Sequence, residues 1–195
     1  MASRETFLAR VRAAQPAAEP LPEVPGFDAP PGDVRERFVA SLALMGGKTA
    51  QVASGGEVLA QIQARFGANV SIVSSAPEVP GTRAIDAHTP PASLEDVQVG
   101  VVRARFGVAE TGSVWLSERE YGVNALGYLV QHLYVLLDPA AVVAGLQDAY
   151  WRDDFRHARY AVLVTGPSAT ADIEGVLIQG AQGVRSLTVV WLPAP

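Results

Sequence analysis

The feature that most constrains this chain is the alternation, through its second half, of solid apolar runs with loop-forming or amphipathic segments. YLVQHLYVLL, YAVLVT and LTVVWL are short, rich in β-branched and aromatic residues, and bounded by Gly, Pro or Asp. Strands that are apolar along their length, without a polar residue at every second position, belong to a sheet covered on both faces. Further strands are read at TAQVA, NVSIV, VGVVRARF and SVWLS. Helices are read at DVRERFVASLALMGG, EVLAQIQARFG, SLEDV, from Asp138-Pro139 to about Arg152, and at TADIEGVLIQGA. Strands that alternate with helices predict a three-layer α/β/α domain with a largely parallel sheet.

The first part of the chain is different. Residues 4–14 place Phe7, Leu8 and Val11 on one side of a short amphipathic helix, with arginines around them. Pro16, Pro20, Pro22, Pro25, Pro30 and Pro31 follow. Proline lacks the N–H and fixes φ, so this stretch reads as an extended arm. The division is therefore an arm over residues 1–32 and an α/β domain over 33–195. The domain opens with Asp33 and Glu36 in capping-box spacing. SSAPEVPGTRAIDAHTPPA is too long for a plain connection and is expected to cover something.

Composition narrows the chemistry. Of 195 residues, 49% are hydrophobic, enough for a sizeable core, and the formal net charge is −5 with no basic stripe. A nucleic-acid partner is not expected from such a chain. There is no cysteine, which excludes disulfides, thiolate nucleophiles, Cys-ligated zinc and all-cysteine iron–sulfur clusters. His88, His132 and His157 lie far apart with no ligand-pair spacing, so no metal site is expected. The N-terminus lacks the apolar core of a signal peptide, and the most apolar stretch is interrupted by Gln131, His132 and Asp138. A cytoplasmic protein without a membrane span is expected. Gly47-Lys48-Thr49 resembles the end of a phosphate-binding P-loop, but the position that needs its first glycine is Leu42. C-cap glycines before a strand explain Gly46 and Gly47.

Two stretches carry candidate chemistry. In AETGSVWLS, Glu110 stands beside Thr111-Gly112 between two strands. It is either a solvated turn residue or a carboxylate at a sheet end that acts as acid, base or acceptor. In YAVLVTGPSATADIEG, an apolar strand stops at Gly166-Pro167-Ser168, and a helix is predicted from about Thr170. Unpaired N–H groups at a helix start, with the Ser168 and Thr170 hydroxyls, suit a small anion. Plain capping by Thr170, with Asp172 and Glu174 in the first turn, accounts for the same residues.

GPSATADIEGVLIQGAQG, taken with AETG, resembles the lactate-utilisation (LUD-domain) proteins, specifically the lactate-utilisation protein C branch. The resemblance implies a fold related to the sugar-phosphate isomerase and CoA-transferase superfamily. It also implies an accessory role in oxidation of L-lactate to pyruvate, with iron–sulfur proteins as partners, a small carboxylate as ligand and no cofactor held by this chain. On that resemblance Glu110 and Asp172 are the catalytic candidates. Thr111, Gly112, Gly166, Ser168, Thr170 and Glu174 are the ligand-binding candidates, gathered in one pocket. Where family members carry a Gly-x-His-Gly-Pro segment, this chain has Gly180-Ala181-Gln182-Gly183-Val184. The alternative is a stand-alone transferase or isomerase acting on a sugar phosphate or acyl-CoA. Such an enzyme would use Glu110 as nucleophile or base and would bring arginines such as Arg103, Arg105 or Arg185 into its crevice.

Overall fold

The structure is a computed structural model that describes residues 3–28, 30–86, 88–172 and 174–195. Its elements run α1 (Arg4–Ala13), α2 (Val34–Leu44), β1 (Lys48–Gln51), α3 (Gly55–Phe66), β2 (Ile72–Ser74), β3 (Val99–Arg103), β4 (Phe106–Val108) and β5 (Ser113–Ser117). They continue with α4 (Glu118–Tyr121), β6 (His132–Leu137), β7 (Val142–Val143), α5 (Leu146–Tyr150), α6 (Asp154–His157), β8 (Ala161–Val164), β9 (Ala169–Thr170), β10 (Ile178–Gln179) and β11 (Ser186–Trp191).

The central sheet has the order β1-β11-β6-β3-β2 and every neighbouring pair in it is parallel. The chain crosses from β1 at one edge to β2 at the other beneath α3, then returns one strand at a time through β3, β6 and β11. Right-handed crossovers put an outward and a returning traverse on opposite faces. One face accordingly packs Val99, Val101, Leu136 and Val190 against Val58 and Ile62 of α3. The other packs Val102, Leu133, Val135 and Val189 against Phe38 and Leu42 of α2 and against Val114 and Leu116 of β5. This mostly parallel sheet with helices on its faces is the α/β architecture expected from the alternating pattern.

A second, mixed sheet of order β7-β4-β5-β8 lies over the latter face. Its outer side packs Phe106, Trp115 and Leu163 against Ala149 of α5 and Phe155 of α6, with Phe106 and Trp115 stacked at 5.5 Å. VGVVRARF, read as one strand, is divided between the two sheets. The Ala104 N–H donates to Leu136 O of the central sheet at 2.8 Å, and the next, from Arg105, donates to Trp115 O of the mixed sheet at 3.2 Å. The strand YAVLVT was expected beside parallel neighbours, but as β8 it pairs antiparallel with β5.

Two expected helices are replaced. From Pro139 to Arg152 the chain makes a 3-10 turn (Pro139–Ala141), then β7, then the short α5. The β-branched pair Val142-Val143 is taken up by pairing with β4, and Gly145 separates β7 from α5. Among the described residues of TADIEGVLIQGA there is no helix. Its described residues make the antiparallel hairpin β9–β10, with Glu174 and Gly175 at positive φ (55° and 70°) in the turn. Gly175 and Gly180 inside a helix would each cost about 1 kcal/mol relative to alanine, and a hairpin uses them at its turn and its end. Ile173 lies outside the described residues.

Close backbone approach fixes the C-terminal end of α2. A Cβ on Gly112 (φ 65°) would stand 2.2 Å from the Leu42 nitrogen, and one on Gly166 (φ 64°) would stand 2.2 Å from Met45 O. We expect Gly112→Ala and Gly166→Ala each to lower stability by more than about 3 kcal/mol, because the obstacle is backbone and cannot rotate away. Gly67→Ala, with positive φ but nothing near its Cβ, should cost less, about 1–3 kcal/mol of backbone strain alone. Urea unfolding midpoints of the three variants check this.

Candidate functional site

The AETG turn continues the pairing of β4 with β7. The Ala109 N–H donates to Val143 O at 2.9 Å and that of Glu110 to Ala144 O at 3.2 Å. The Ser41 hydroxyl donates to Glu110 O at 3.2 Å. Beyond the turn, the hydroxyls of Thr111, Ser113 and Thr165 form a chain with spacings of 2.7 and 2.5 Å. The AETG turn and the start of the Gly-Pro-Ser loop therefore meet as expected: β5 pairs with β8, Ser113 bridges to Thr165, and Gly112 and Gly166 both press on α2.

The side chains expected to do chemistry diverge from that meeting point. The exposed Glu110 carboxylate accepts the Leu146 N–H at 2.8 Å. It lines a cavity of about 340 Å³ with Phe27, Asp28 and Pro30 of the arm and with residues 144–148. Ser168 lines a different cavity of about 260 Å³, with Tyr128, Gly166, Gln182 and Gly183. Thr170, Asp172 and Glu174 sit on the hairpin, where the Asp172 N–H donates weakly to Thr170 Oγ1 at 3.3 Å. The single pocket holding Glu110 and Ser168 together is not formed.

Nor is there a helix start behind the Gly-Pro-Ser loop. The Ser168 N–H is used within the fold, donating to Val184 O at 3.0 Å, and Ser168 O accepts from Gly180 at 2.8 Å. The strand leading into it, β8, belongs to the mixed sheet, so the rule that ligands bind beyond the carboxyl ends of parallel strands does not point to this loop. Tyr128 shares a hydrogen bond between hydroxyls with Tyr160. Burial and that bond push the Tyr128 pKa up to about 12, leaving it neutral near pH 7.

The carboxyl edge of the parallel sheet is at Gln51, Ser74, Arg103, Leu137 and Trp191. There the two sheets part, and a crevice of about 330 Å³ opens, lined by Ser75, Arg103, Arg105, Arg119, Glu120 and Asp138 among others. It adjoins a second hollow of about 260 Å³ that shares Arg105, Arg119 and Glu120 and adds His157. Two of the three arginines named from sequence, Arg103 and Arg105, reach this crevice; Arg185 lies at the opposite edge, before β11. Arg119 and Ser75 carried no sequence signal, because only the strand order brings the residue after β2 and the first turn of α4 to one place. The Ser75 hydroxyl makes that link by donating to Glu120 O at 2.5 Å.

The arm is tied to the Glu110 cavity by one side chain. The Gln147 amide accepts from the Phe27 N–H at 2.9 Å and donates to Pro25 O at 2.9 Å. By contrast, α1 buries no residue. In Gln147→Ala the Phe27 amide should exchange with deuterium faster by at least about tenfold, since two bonds of about 1 kcal/mol each are lost. Hydrogen exchange read by mass spectrometry measures this.

His132 is structural. Phe66 stacks on it at 4.4 Å and its Nδ1 lies 2.8 Å from Ser186 Oγ. Burial, then the charges of Arg65 and Arg185, lower its pKa. The unfolded chain, with a histidine pKa of about 6.5, therefore binds more protons than the folded one, and stability contributed by neutral His132 is lost as pH falls through about 6.5. His132→Gln should show a smaller drop in urea midpoint between pH 7.5 and pH 5.5 than the parent protein.

A family profile described as the LUD domain matches residues 89–192, more than half of the chain. A solved structure of a DUF162 family protein from Deinococcus radiodurans superposes with a TM-score of 0.63 at 17% identity, covering 82% of this chain and 96% of that one. That likeness extends the shared fold beyond the matched residues. No curated protein matches the chain. Among the described residues no helix is long and apolar enough to cross a membrane. The chain belongs to the LUD domain family.

Proposed function

We propose that this protein is an accessory component of L-lactate oxidation to pyruvate, working with iron–sulfur partner proteins in the cytoplasm. The observation that carries the reading is the LUD-domain match over residues 89–192. The absence of cysteine supports the division of labour. Oxidation of a 2-hydroxy acid releases two electrons, and a chain without thiolates holds no Cys-ligated cluster of its own to receive them, which fits a role beside iron–sulfur partners.

The geometry bears on the choice between this role and a stand-alone transferase or isomerase. A transferase with Glu110 as nucleophile needs that carboxylate beside the cations that hold a phosphate or thioester substrate. Glu110 instead lines the cavity with Phe27 and Asp28, and Arg103, Arg105 and Arg119 line another. That separation favours the accessory role. The Gly-Pro-Ser loop spends its Ser168 N–H internally and leads into a hairpin strand, so in this reading the donors for a small carboxylate lie elsewhere in the fold.

Deleting the gene should abolish or strongly slow growth on L-lactate while leaving growth on glucose unchanged, with recovery on re-expression. Affinity purification of the tagged chain from lactate-grown cells should recover an iron–sulfur protein. Normal growth on lactate together with no iron–sulfur protein in the eluate would sink the proposal.

A further inference from the structure

We infer that the crevice where the two sheets part is a binding site for a small oxyanion, a carboxylate or a phosphoryl group, held by Arg105 and Arg119 with Arg103 behind them. The inference stands on the crevice alone and does not depend on the lactate role.

Position is the first argument. The crevice lies beyond the carboxyl ends of β2, β3 and β6, the place where open parallel sheets bind ligands. It is formed by the strand split itself, since Arg103 ends β3 and Arg105 precedes β4.

The second argument is which polar groups there are already satisfied. The acids are. Glu120 Oε2 accepts from both the N–H and the hydroxyl of Ser117, at 2.8 and 2.5 Å. The Asp138 carboxylate takes the N–H groups of Ala140 and Ala194, at 2.9 and 3.1 Å. Asp154 is held between Arg105 and Arg152 at 2.9 and 2.7 Å. Burial works to raise its pKa, but the hydrogen bonds from those two arginines prevail and hold it below the usual carboxylate value.

The arginines are not. Arg105 uses Nε on Asp154, which leaves its two Nη groups without a hydrogen-bond partner among the described residues. Arg119 makes one long contact, Nη2 to His157 O at 3.5 Å. Arg103 spends Nε on Glu78 at 2.5 Å and Nη1 on Leu192 O at 3.1 Å, while its Nη2, like Glu78 Oε2, is buried with no partner among the described residues. A buried, unpaired guanidinium donor is costly unless something accepts from it. Planar forks of this kind suit the paired oxygens of a carboxylate or phosphoryl group. In a chain of net charge −5, a hollow whose acids are spent and whose guanidinium donors are spare selects for an anion.

The full chain is titrated with sodium phosphate, sodium pyruvate or sodium L-lactate at constant ionic strength, balanced with sodium chloride, and its Tm is followed. At least one oxyanion should raise the Tm saturably beyond chloride, since a ligand bound only by the folded state stabilises it. A response to phosphate alone identifies a phosphoryl site, and a response to pyruvate or lactate alone a carboxylate site. Arg105→Gln and Arg119→Gln should each abolish the response, and Arg65→Ala, on α3 at the other face, should keep it. Phenylglyoxal labelling of the unmodified sequence, mapped by mass spectrometry, gives a second readout that needs no variant. The effective anion at ten times its Kd should slow labelling of Arg105 and Arg119 by about tenfold and leave Arg65 unchanged. The absence of a saturable shift with all three anions, a shift that survives both substitutions, or equal labelling with and without anion would each overturn the assignment. Loss of anion binding with lactate growth still dependent on the gene would remove this site and leave the pathway role standing.

Discussion

The structure depends on one parting of hydrogen bonds. At Ala104 the backbone still belongs to the parallel sheet, bonded to Leu136 O; at Arg105 it already belongs to the mixed sheet, bonded to Trp115 O. Two consecutive residues thus serve two sheets, and neither sheet can shift against the other without breaking a buried bond. The split creates the second apolar layer, where Val114 and Leu116 face the parallel sheet and Phe106 and Trp115 face α5 and α6. It also leaves a gap at the point of parting, which is where the arginine-lined crevice lies.

The family-like blocks do a different job from the one their chemistry suggests. Gly112 and Gly166 are needed because α2 passes within van der Waals contact of both turns. The Thr111–Ser113–Thr165 hydroxyl chain ties the same turns together, with Ser113 almost fully buried. A buried hydroxyl bonded on both sides is a satisfied structural group. These residues hold β5, β8 and the end of α2 in register.

What was legible in the sequence followed from periodicity and capping. The parallel strands β1, β2, β3, β6 and β11, the Asp33 cap of α2 and the Gly67 end of α3 are all local signals, and each is found. The stretch 170–181 reads as a helix because Ile173, Val176 and Leu177 stand at i, i+3 and i+4. In the fold Val176 and Leu177 are 60% and 65% exposed, so these two residues have no core to face. Sheet membership was not legible at all. AVLV and LTVVWL look alike, yet β8 and β11 lie in different sheets, because pairing is decided by partners far away in sequence. The crevice was half legible for the same reason: Arg103 and Arg105 flank the split and could be named, whereas Ser75 and Arg119 arrive through strand order.

Charge accounting decides what each hollow can hold. Around Glu110 the lining brings Asp28 and Asp148 as well, with no Lys, Arg or His. An anion entering there would meet uncompensated carboxylates at short range, where like charges cost most. At the sheet split acids are present too, but Asp154 is ion-paired with Arg105 and Arg152, and Arg103, Arg105 and Arg119 stand in the same lining as Glu120 and Asp138. An acid that accepts internal hydrogen bonds keeps its charge but is held in place, which limits its reach toward a neighbouring arginine. The spare donors of Arg105 and Arg119 are exposed and so reach an oxyanion through a solvated mouth, with the half-buried Arg103 behind them. An acidic chain therefore offers a cationic site where its fold has already engaged the surrounding acids, and not where its sequence places most arginines.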